Sequence, residues 1–408
     1  MKFIEEVPEK EYKKFTDEHK KAHFLESYAW GNFCQKSKNQ IAQHVGMEDD
    51  EGNLVATGLI LLKRTPLFGY SYGYCPRGFL IDYDNKEYIK LFTNYLKDYM
   101  KKNKIIYIKF DPDIEYQDID DNGNKVENGH NNYELYNYLK SLGYKHGGFY
   151  KLYDGNQPRY TFRIDLKQSM EEIEAKMSKS FLKSIKRSEK YNLIIDNDNR
   201  IHEFYELMKL NSAKDGFNSH SEEYYQTFYD ELKKDNRVKM FNISIEPKKM
   251  LKNIDEEIKE QEELLTTATK KIEDIKNKIA RLKKEQEEFL KYDVDKLVIC
   301  SLICTYTKKR CWSLFIGNND LANLTFAVSL SYYVAIKDAK EHNYDFFDLF
   351  GTVGDPNTTY KNLAHLHDYK RKFGDRYIEF IGEFDLINNK FLYKILPPLL
   401  KIYRKIRG

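Results

Sequence analysis

Cysteine is scarce in this chain, and its arrangement excludes the usual cysteine-based metal sites. No two cysteines form a CxxC pair, so a zinc knuckle is not expected, and we interpret the thiols as reduced and cytosolic. The sequence has five: Cys34, Cys75, Cys300, Cys304 and Cys311. His365 and His367 are spaced like metal ligands, but no third ligand accompanies them, so no metal site is expected.

Long apolar runs and an excess of one charge are also missing. No stretch approaches the ~18 apolar residues of a membrane span. Glu5 and Glu6 interrupt the segment in which a secretion signal needs an apolar core. We therefore expect a cytoplasmic protein. The 67 basic and 64 acidic side chains nearly cancel, so any contact with nucleic acid or membrane must come from local clusters.

Apolar and aromatic side chains are plentiful. Hydrophobic residues make up 41% and aromatic residues 15% of 408 residues, which is typical of a globular protein with two or three domains. Strand-like and helix-like patterns alternate over residues 1–153, including a strand at 54–64, a helix at 86–102 and a strand at 105–112. This alternation predicts an α/β first domain.

A second α/β domain is predicted over residues 154–245 and 296–385. A turn and a proline introduce it, and one long helix is expected at 169–192. The C-terminal segment 386–408 is basic and apolar. It is expected to pack on the first domain, or to touch an anionic membrane surface at the inner face of the membrane.

Residues 246–295 interrupt the second domain with a different pattern. Apolar residues recur alternately three and four positions apart, which indicates a coiled coil. Residues 255–263 carry six acids, whereas residues 270–284 carry seven bases. A hairpin that turns near residues 266–269 pairs these opposite blocks, so we predict an antiparallel coiled-coil arm.

Six stretches resemble, in order, the motifs of the FemABX aminoacyltransferases, the Fem/MurM group of peptidoglycan bridge enzymes. They are HFLESYAWGNF (23–33), YCPRGFLIDY (74–83), IKFDPDI (108–114), NQPRYTFRIDL (156–166), YDFFDLFGTVGD (344–355) and YKRKFGDRYIEFIGEFD (369–385). The resemblance covers essentially the whole chain. It implies two GNAT-like domains, the acyl-CoA N-acyltransferase fold, with an inserted helical arm.

The implied reaction transfers Gly, Ala or Ser from a charged tRNA to a peptidoglycan precursor. The acceptor is the side-chain amine of the third stem-peptide residue, or a growing bridge on lipid II or UDP-MurNAc-pentapeptide. An aminoacyl ester is already activated, so the reaction needs placement and oxyanion stabilisation rather than a cofactor. We expect no cofactor, aminoacyl-tRNA as co-substrate, and a homo- or hetero-oligomer with related transferases as one arrangement.

Two residues are the candidates for catalysis. Lys370 matches the lysine of the family's aromatic–lysine pair, with Tyr369 beside it, and is expected to contact a substrate phosphate or the oxyanion. We expect a strand edge to position Lys370, and a solvated basic turn is the alternative. Asp111 ends a buried strand and is expected to orient or deprotonate the acceptor amine. Capping of the following turn is its alternative role.

Five further positions are assigned to substrate binding. Tyr224 matches a position that lines the precursor site, and an aromatic core residue is the alternative. His220 stands where some relatives have Arg, and Lys36 lies two residues beyond a position that is Lys in some relatives. Phe315 replaces a Tyr, and Arg77 is either structural or substrate-facing. These departures affect how the precursor is held.

A second cationic cluster lies on one face of the helix predicted at 169–192. Spacings of three and four residues bring its members together, and we assign them to tRNA or pyrophosphate binding, with a solvated face as the alternative. They are Lys183, Lys186, Arg187 and Lys190.

Other functions stay open at this point. A CoA-dependent N-acyltransferase should carry R/Q-x-x-G-x-G/A, and only the segments starting at Gln43 and Arg371 approach it, each without the last small residue. A non-catalytic scaffold that binds tRNA or the envelope through the coiled coil is a further alternative. An acceptor outside the cell wall is another.

Overall fold

The computed structural model describes residues 1–66, 69–374 and 376–407, with the side chains of these residues except 215 and 402–407. It contains two eight-stranded sheets. Sheet 1 has the order β1 (Lys2–Ile4), β2 (Ile41–Glu48), β3 (Leu54–Arg64), β4 (Ser71–Cys75), β6 (Ile105–Phe110), β16 (Phe384–Ile387), β8 (Tyr144–His146), with β5 (Leu80–Ile81) paired to β3. Sheet 2 has the order β10 (Ile194–Asp196), β11 (Val238–Ile245), β12 (Leu297–Tyr306), β13 (Arg310–Asn318), β14 (Phe346–Asp348), β9 (Tyr160–Asp165), β15 (Arg376–Phe380), β7 (Glu115–Asp118).

Helices cover and join these sheets. They are α1 (Glu9–Glu18), α2 (Tyr28–Lys38), α3 (Lys86–Lys102), α4 (Tyr133–Ser141), α5 (Met170–Lys176), α6 (Lys179–Ser188), α7 (Ile201–Asp215), α8 (Glu222–Lys233), α9 (Pro247–Thr267), α10 (Ile272–Phe289), α11 (Asp320–Leu324), α12 (Ala327–Glu341), α13 (Lys361–Arg371) and α14 (Lys390–Arg407). Helices α3 and α4 pack on sheet 1, whereas α5, α6 and α12 pack on sheet 2. Helices α1, α2, α7 and α8 share one core with strands of both sheets, so this core joins them.

Local signals set several elements at their predicted bounds. Strand β3 and helix α3 begin and end where the sequence patterns predicted. The Asn85 side chain accepts a hydrogen bond from the Tyr88 backbone N–H and so caps α3. The mixed α/β class is therefore confirmed.

Two predicted continuous elements are broken. The helix predicted at 169–192 is wrong, because Met177 is extended and Ser178 caps a new helix by accepting from the Phe181 backbone N–H. The strand that the alternating pattern predicts at 376–384 is also interrupted, because β15 stops at Phe380. Gly382 follows with φ +93°, and the chain then enters sheet 1 as β16.

The strands cross the predicted domain boundaries at two places. Strand β7, from the first 153 residues, pairs with β15 of sheet 2, while β16 pairs with β6 of sheet 1. The two halves of the chain are therefore tied together by exchanged strands. The domain division itself stays a prediction.

Helices α9 and α10 pack against each other as a helical hairpin, with the turn between Thr267 and Ile272. Their buried apolar side chains include Ile254, Ile258, Ile275, Ile279 and Leu282. Charges also pair across the two helices: Lys278 meets Glu257 at 2.8 Å and Lys283 meets Glu262 at 3.0 Å. Knobs-into-holes packing of a true coiled coil stays a prediction.

The C-terminal helix α14 lies on sheet 1, where the Tyr393 ring meets Tyr107 edge-on at 5.2 Å. The ring of Phe391 is 70% exposed. The basic side chains of Arg404, Lys405 and Arg407 lie outside the described side chains. Among the described residues, no helix combines the length and apolar character required to cross a membrane.

Candidate functional site

Asp111 follows the last residue of β6, between β4 and β16, and is only 3% exposed. Its carboxylate accepts hydrogen bonds from the Tyr74 hydroxyl at 3.0 and 3.1 Å and from the Arg77 backbone N–H at 2.8 Å. Burial raises the pKa of Asp111 to about 7, although the positive charge of Arg77 acts to lower it. A carboxyl with this pKa both accepts and releases a proton near neutral pH, as a general base must.

Arg77 connects the Asp111 region to sheet 2. It has φ +59°, and its guanidinium donates to the Pro158 carbonyl at 2.7 Å. The same guanidinium lies 4.2 Å from the centre of the Phe380 ring. These contacts favour the structural alternative for Arg77, because the side chain is used within the fold while its backbone positions Asp111.

Lys370 lies in the last turn of α13 and is 7% exposed. A helix therefore positions it, which corrects the expected strand edge, and its burial excludes a solvated turn. Its ammonium donates to the carbonyls of Phe350 at 2.5 Å and Gly351 at 2.8 Å. Burial lowers the pKa of Lys370 to about 7, although the negative charge of Asp348 acts to raise it. Two of its three N–H donors are thus used, which leaves one for a substrate.

A series of contacts connects Lys370 to Asp111. Lys370 holds Gly351, and Gly351 packs so tightly on Pro158 that an added Cβ would lie 2.4 Å from Pro158 Cγ. Pro158 accepts from Arg77, whose backbone N–H donates to Asp111. The structure thus connects the two predicted catalytic residues through Gly351, Pro158 and Arg77, across the junction between the sheets. Tyr369 lies beside Lys370, with its hydroxyl 3.4 Å from Ser329 Oγ.

Glu383 is a buried acid of this region to which the sequence analysis assigned no role. It accepts from Lys109 Nζ at 2.8 Å and from the Asn156 backbone N–H at 2.5 Å. Its charge also contributes to the raised pKa of Asp111. The only indication of a role for Glu383 in the sequence was its place in the motif GEFD (382–385).

Three of the predicted substrate-binding residues, Tyr224, His220 and Phe315, lie in an aromatic cluster around α2 and α8. Tyr224 stacks on His220 with ring centres 3.7 Å apart and meets Phe33 edge-on at 5.0 Å. Phe315 packs behind them, 5.6 Å from the rings of both Tyr225 and Phe228.

Lys38 rather than Lys36 reaches this cluster. Lys36 binds Glu231 at 2.6 Å, whereas Lys38 Nζ lies 4.6 Å from the Trp30 ring and 5.8 Å from the Tyr224 ring. The helical period explains the difference, because residues four apart share a face and residues two apart do not. Lys38 is four residues after Cys34 on α2 and so lies on the same face of the helix. This spacing could have identified Lys38 from the sequence.

Lys38 also lines a cleft of about 540 Å³ with no acidic lining residue among those described. Its lining is Lys38, Asn39, Ile41, Leu62, Lys63 and Arg64. Burial, together with the charge of Lys63, lowers the pKa of Lys38. Three cations that line one cleft suit an anion with more than one phosphate group.

The second predicted cationic cluster is divided by the structure. Lys183, Lys186 and Arg187 are exposed on α6. Lys190 follows in a 3₁₀ turn at Glu189–Tyr191 and binds Glu285 of α10 at 3.0 Å. Its charge is therefore partly used within the fold, and this ion pair joins the helical hairpin to the turn after α6.

Glu26 is a fully buried acid that supports the turn carrying Arg77. Its carboxyl accepts from the Cys75 thiol and the Leu59 backbone N–H, each at 3.2 Å. It fills the space beside Gly78, where an added Cβ would lie 2.1 Å from Glu26 Oε1. Burial raises the pKa of Glu26 to about 8.

The raised pKa of Glu26 predicts that stability is lost as pH rises from about 4.5 to about 8. The folded pKa is above the unfolded value, so the folded state holds the proton longer. Its stabilising contribution is present below pH ~4.5 and is lost as pH rises through about 8. We expect Glu26→Gln to remove a decline of up to about 1.4 kcal/mol per pH unit in this interval. Urea unfolding of both proteins at pH 5 and 8 measures the change in the free energy of unfolding. An equal decrease in the wild-type protein and in Glu26→Gln would contradict the prediction.

The sequence and the fold of this chain have counterparts among known proteins. Residues 7–401 match the model of the FemAB family. A lipid II:glycine glycyltransferase of Staphylococcus epidermidis is 26% identical over 427 residues, covering 98% of this chain and 99% of that protein. One of Staphylococcus aureus is 25% identical over 430 residues, covering 98% of each. The crystal structure of FemX superposes with a TM-score of 0.78 at 24% identity, over 97% of this chain and all of that one, and so shows the same fold.

Proposed function

This chain belongs to the FemAB family, and from that membership we propose that it is an aminoacyltransferase of peptidoglycan bridge synthesis. The acyl group is glycine, as the names of the relatives suggest. The donor is a charged tRNA, and the acceptor is the side-chain amine of the third stem-peptide residue, or a growing bridge, on a lipid-linked precursor. The observation that carries the proposal is the series of contacts through Gly351, Pro158 and Arg77 that connects Lys370 to Asp111.

The residues at this junction fit the chemistry of aminoacyl transfer. Asp111 accepts the proton of the acceptor ammonium, and the free amine attacks the ester carbonyl, forming the C–N bond. Lys370 stabilises the oxyanion with its remaining N–H. The C–O bond to the ribose then breaks, and the ribose oxygen leaves with the proton that the attacking nitrogen gives up as it becomes an amide. Two groups whose pKa values are both about 7 suit proton transfer at neutral pH.

The cleft of Lys38, Lys63 and Arg64 holds the precursor's diphosphate in this proposal. Its neighbour Tyr224 then lies against the rest of the head group. The cleft offers three cations and no described acid, as a doubly charged ligand requires.

Aromatic rings lead from this cleft toward α14, which supports a lipid-linked acceptor. Lys63 is paired in register with Tyr72, whose ring stacks on Tyr107 at 5.6 Å. Tyr107 in turn meets Tyr393 of α14. With Phe391 exposed between exposed lysines, α14 suits an anionic membrane surface, and we propose that it docks there.

Replacing Lys38 with Met is expected to raise KM for the precursor about 10-fold or more, because a charge-assisted contact to phosphate is lost. The matched control is Lys36→Met, which removes an equal charge from the same helix. Its partner Glu231 keeps Lys234 at 2.7 Å. Steady-state kinetics at varied precursor concentration measure this KM. An equal KM in both variants would show that Lys38 does not bind the precursor.

The proposed function is tested by incubating the protein with a pool of labelled aminoacyl-tRNAs. Lipid-linked and nucleotide-linked precursors are supplied in parallel, with acetyl-CoA as a third donor test. We expect labelled glycine on the lipid-linked precursor only, and no label after ribonuclease treatment of the tRNA. A folded protein that labels neither precursor would overturn the proposal in favour of a scaffold or another acceptor.

A further inference from the structure

Asp348, the last residue of β14, is a buried acid to which the sequence analysis assigned no role, and it is 2% exposed. Its carboxylate accepts from the Thr161 hydroxyl at 2.6 Å, from Arg163 Nε at 2.7 Å and from the Phe350 backbone N–H at 2.8 Å. Thr161 and Arg163 are two residues apart on β9 and so lie on one face of the strand. Donors from β9 and from the chain after β14 thus fix this carboxylate.

The hydrogen bond from Phe350 fixes the piece of backbone that holds Lys370. Phe350 has φ +52°, a left-handed conformation that is uncommon for a bulky residue. An Asp side chain that accepts from the N–H two residues later stabilises a turn at this position. The carbonyls of Phe350 and Gly351 then accept from the Lys370 ammonium at 2.5 and 2.8 Å. Asp348 therefore acts on the position of Lys370 through the backbone of Phe350.

Arg163 connects Asp348 to the segment that carries Asp111. Its Nη2 donates to both carboxylate oxygens of Asp113 at 2.8 Å. Asp113 is 3% exposed and lies two residues after Asp111, with only Pro112 between them. A movement of the Arg163 guanidinium would therefore be felt on both sides, by the Asp111 segment and by Asp348.

The Arg163 guanidinium is held in one orientation. Arg163 and Asp348 are paired in register between β9 and β14. The guanidinium lies 4.4 Å from the centre of the Phe346 ring and 5.1 Å from that of Phe380. Planar stacking of this kind, with a fork of fixed donors, is a property of arginine that lysine lacks.

The hydrogen bonds form one continuous series from Asp113 to Lys370. Each link is 2.8 Å or shorter, and the members in order are Asp113, Arg163, Asp348, Phe350 and Lys370. The series through Gly351 and Pro158 includes a packing contact, whereas every link here is a hydrogen bond. A displaced Asp348 would therefore displace the ammonium of Lys370.

Asp348 also acts on Lys370 by its charge. Burial lowers the pKa of Lys370, and among the described residues the charge of Asp348 is what opposes this effect. The cations that face Asp348 are Arg163 on β9, Arg310 on β13 and Lys370 on α13. Loss of the Asp348 charge should therefore make the Lys370 ammonium release its proton at lower pH.

We propose that Asp348 and Arg163 are positioning residues for aminoacyl transfer. Asp348 fixes the Lys370 ammonium through the Phe350 backbone, and Arg163 fixes Asp348 relative to the Asp111 segment. Neither side chain touches a substrate. The inference rests on the proposed function and adds how the oxyanion donor is held in place. Precise placement matters because a displacement of about 1 Å can lower the rate about 100-fold.

The first test is Asp348→Asn in the full chain, with transfer measured over a range of pH. Asn keeps the shape and one acceptor oxygen for the Phe350 N–H, but it loses the charge and the second oxygen. We expect kcat to fall about 10-fold, with KM for both substrates within about twofold of wild type. The alkaline limb of kcat/KM, which reports loss of the Lys370 proton, should move to lower pH by about 1 unit.

Asp196→Asn is the matched control. Asp196 is also the last residue of a strand, β10, and accepts from Arg200 Nε at 3.0 Å and from the Asp198 backbone N–H at 3.3 Å. Strands β11, β12 and β13 separate β10 from β14 in sheet 2. This variant should lose thermal stability without a change in kcat or in the alkaline limb.

Arg163→Lys separates position from charge. One ammonium cannot replace the fork that joins Asp113 to Asp348, but the charge of Asp348 remains. We expect kcat to fall about 10-fold while the alkaline limb stays within about 0.3 pH unit of wild type. A folded Arg163→Lys protein with wild-type kcat would exclude Arg163 from the positioning role.

A folded Asp348→Asn protein with kcat within about twofold of wild type, or with an unmoved alkaline limb, would overturn the proposal. Equal effects in Asp196→Asn would also overturn it. Circular dichroism checks folding. If Asp348→Asn does not fold, Thr161→Val replaces it, because it removes one hydrogen bond to Asp348 and no charge. It should lower kcat about threefold or more, and wild-type kcat there would overturn the proposal.

The same assay separates this inference from the proposed function. Wild-type protein that transfers nothing to either precursor refutes the proposed function. Wild-type protein that transfers, with kinetics and a pH profile that Asp348→Asn leaves unchanged, refutes only the positioning role.

Discussion

Lys370→Met is expected to lower kcat for aminoacyl transfer about 100- to 1,000-fold, the usual cost of losing one preorganised oxyanion donor. Met keeps most of the length and the apolar stem of the side chain but cannot donate a hydrogen bond. The effect should fall on kcat rather than on KM, because the oxyanion exists only in the transition state. Single-turnover transfer from aminoacyl-tRNA to the lipid-linked precursor measures it.

Arg371→Met is the matched control, because Arg371 is the next residue of α13 and is exposed. It should keep wild-type kcat. Lys370→Met also leaves the carbonyls of Phe350 and Gly351 without their donor, so a thermal melt must accompany the kinetics. A folded Lys370→Met protein with kcat within about threefold of wild type would exclude Lys370 from the oxyanion role.

Asp111→Asn is expected to lower kcat/KM about 100-fold or more, within the range of a lost general base. Asn is isosteric and can still accept from the Arg77 N–H and the Tyr74 hydroxyl. The turn should therefore be preserved while the proton acceptor is lost. Asp98→Asn, an exposed acid on α3, is the control and should retain activity.

The pH profile distinguishes the two roles. Wild-type kcat/KM should rise as Asp111 ionises and fall as Lys370 loses its proton, and both pKa values are about 7. The result is a narrow maximum near neutral pH. Asp111→Asn should abolish the acidic limb, and Lys370→Met the alkaline limb. An acidic limb that persists in Asp111→Asn would assign the base to another group.

Sequence patterns predicted those elements whose signals are local. Strand β3 and helix α3 were predicted with correct bounds, because periodicity and an Asn cap act within a few residues. The patterns missed the break at Met177 and the change of sheet after Phe380. Which of two sheets a strand joins depends on the strand that lies beside it in the fold. A local sequence pattern contains no information about that neighbour.

The candidate site shows the same division. Lys370 and Asp111 were selected from motifs, yet their burial and their shifted pKa values arise only where distant segments pack on them. Lys38 reached the aromatic cluster in place of Lys36 because the helical period, rather than nearness in sequence, sets which side chains share a face.

The sequence alone was enough to predict the α/β class, the family, the charge-paired helical insertion and the residue types at the proposed reaction centre. These follow from periodicity, charge blocks and motifs, which are properties of neighbouring residues. Tertiary structure alone decided which charges are desolvated, which are paired and which remain free. Arg187 of α6 and Arg281 of α10 line one cleft, and Arg77 binds Pro158 in the series of contacts from Asp111 to Lys370, because packing brings together residues far apart in the chain. Burial and proximity set the energy of a charge, and both exist only in the folded protein.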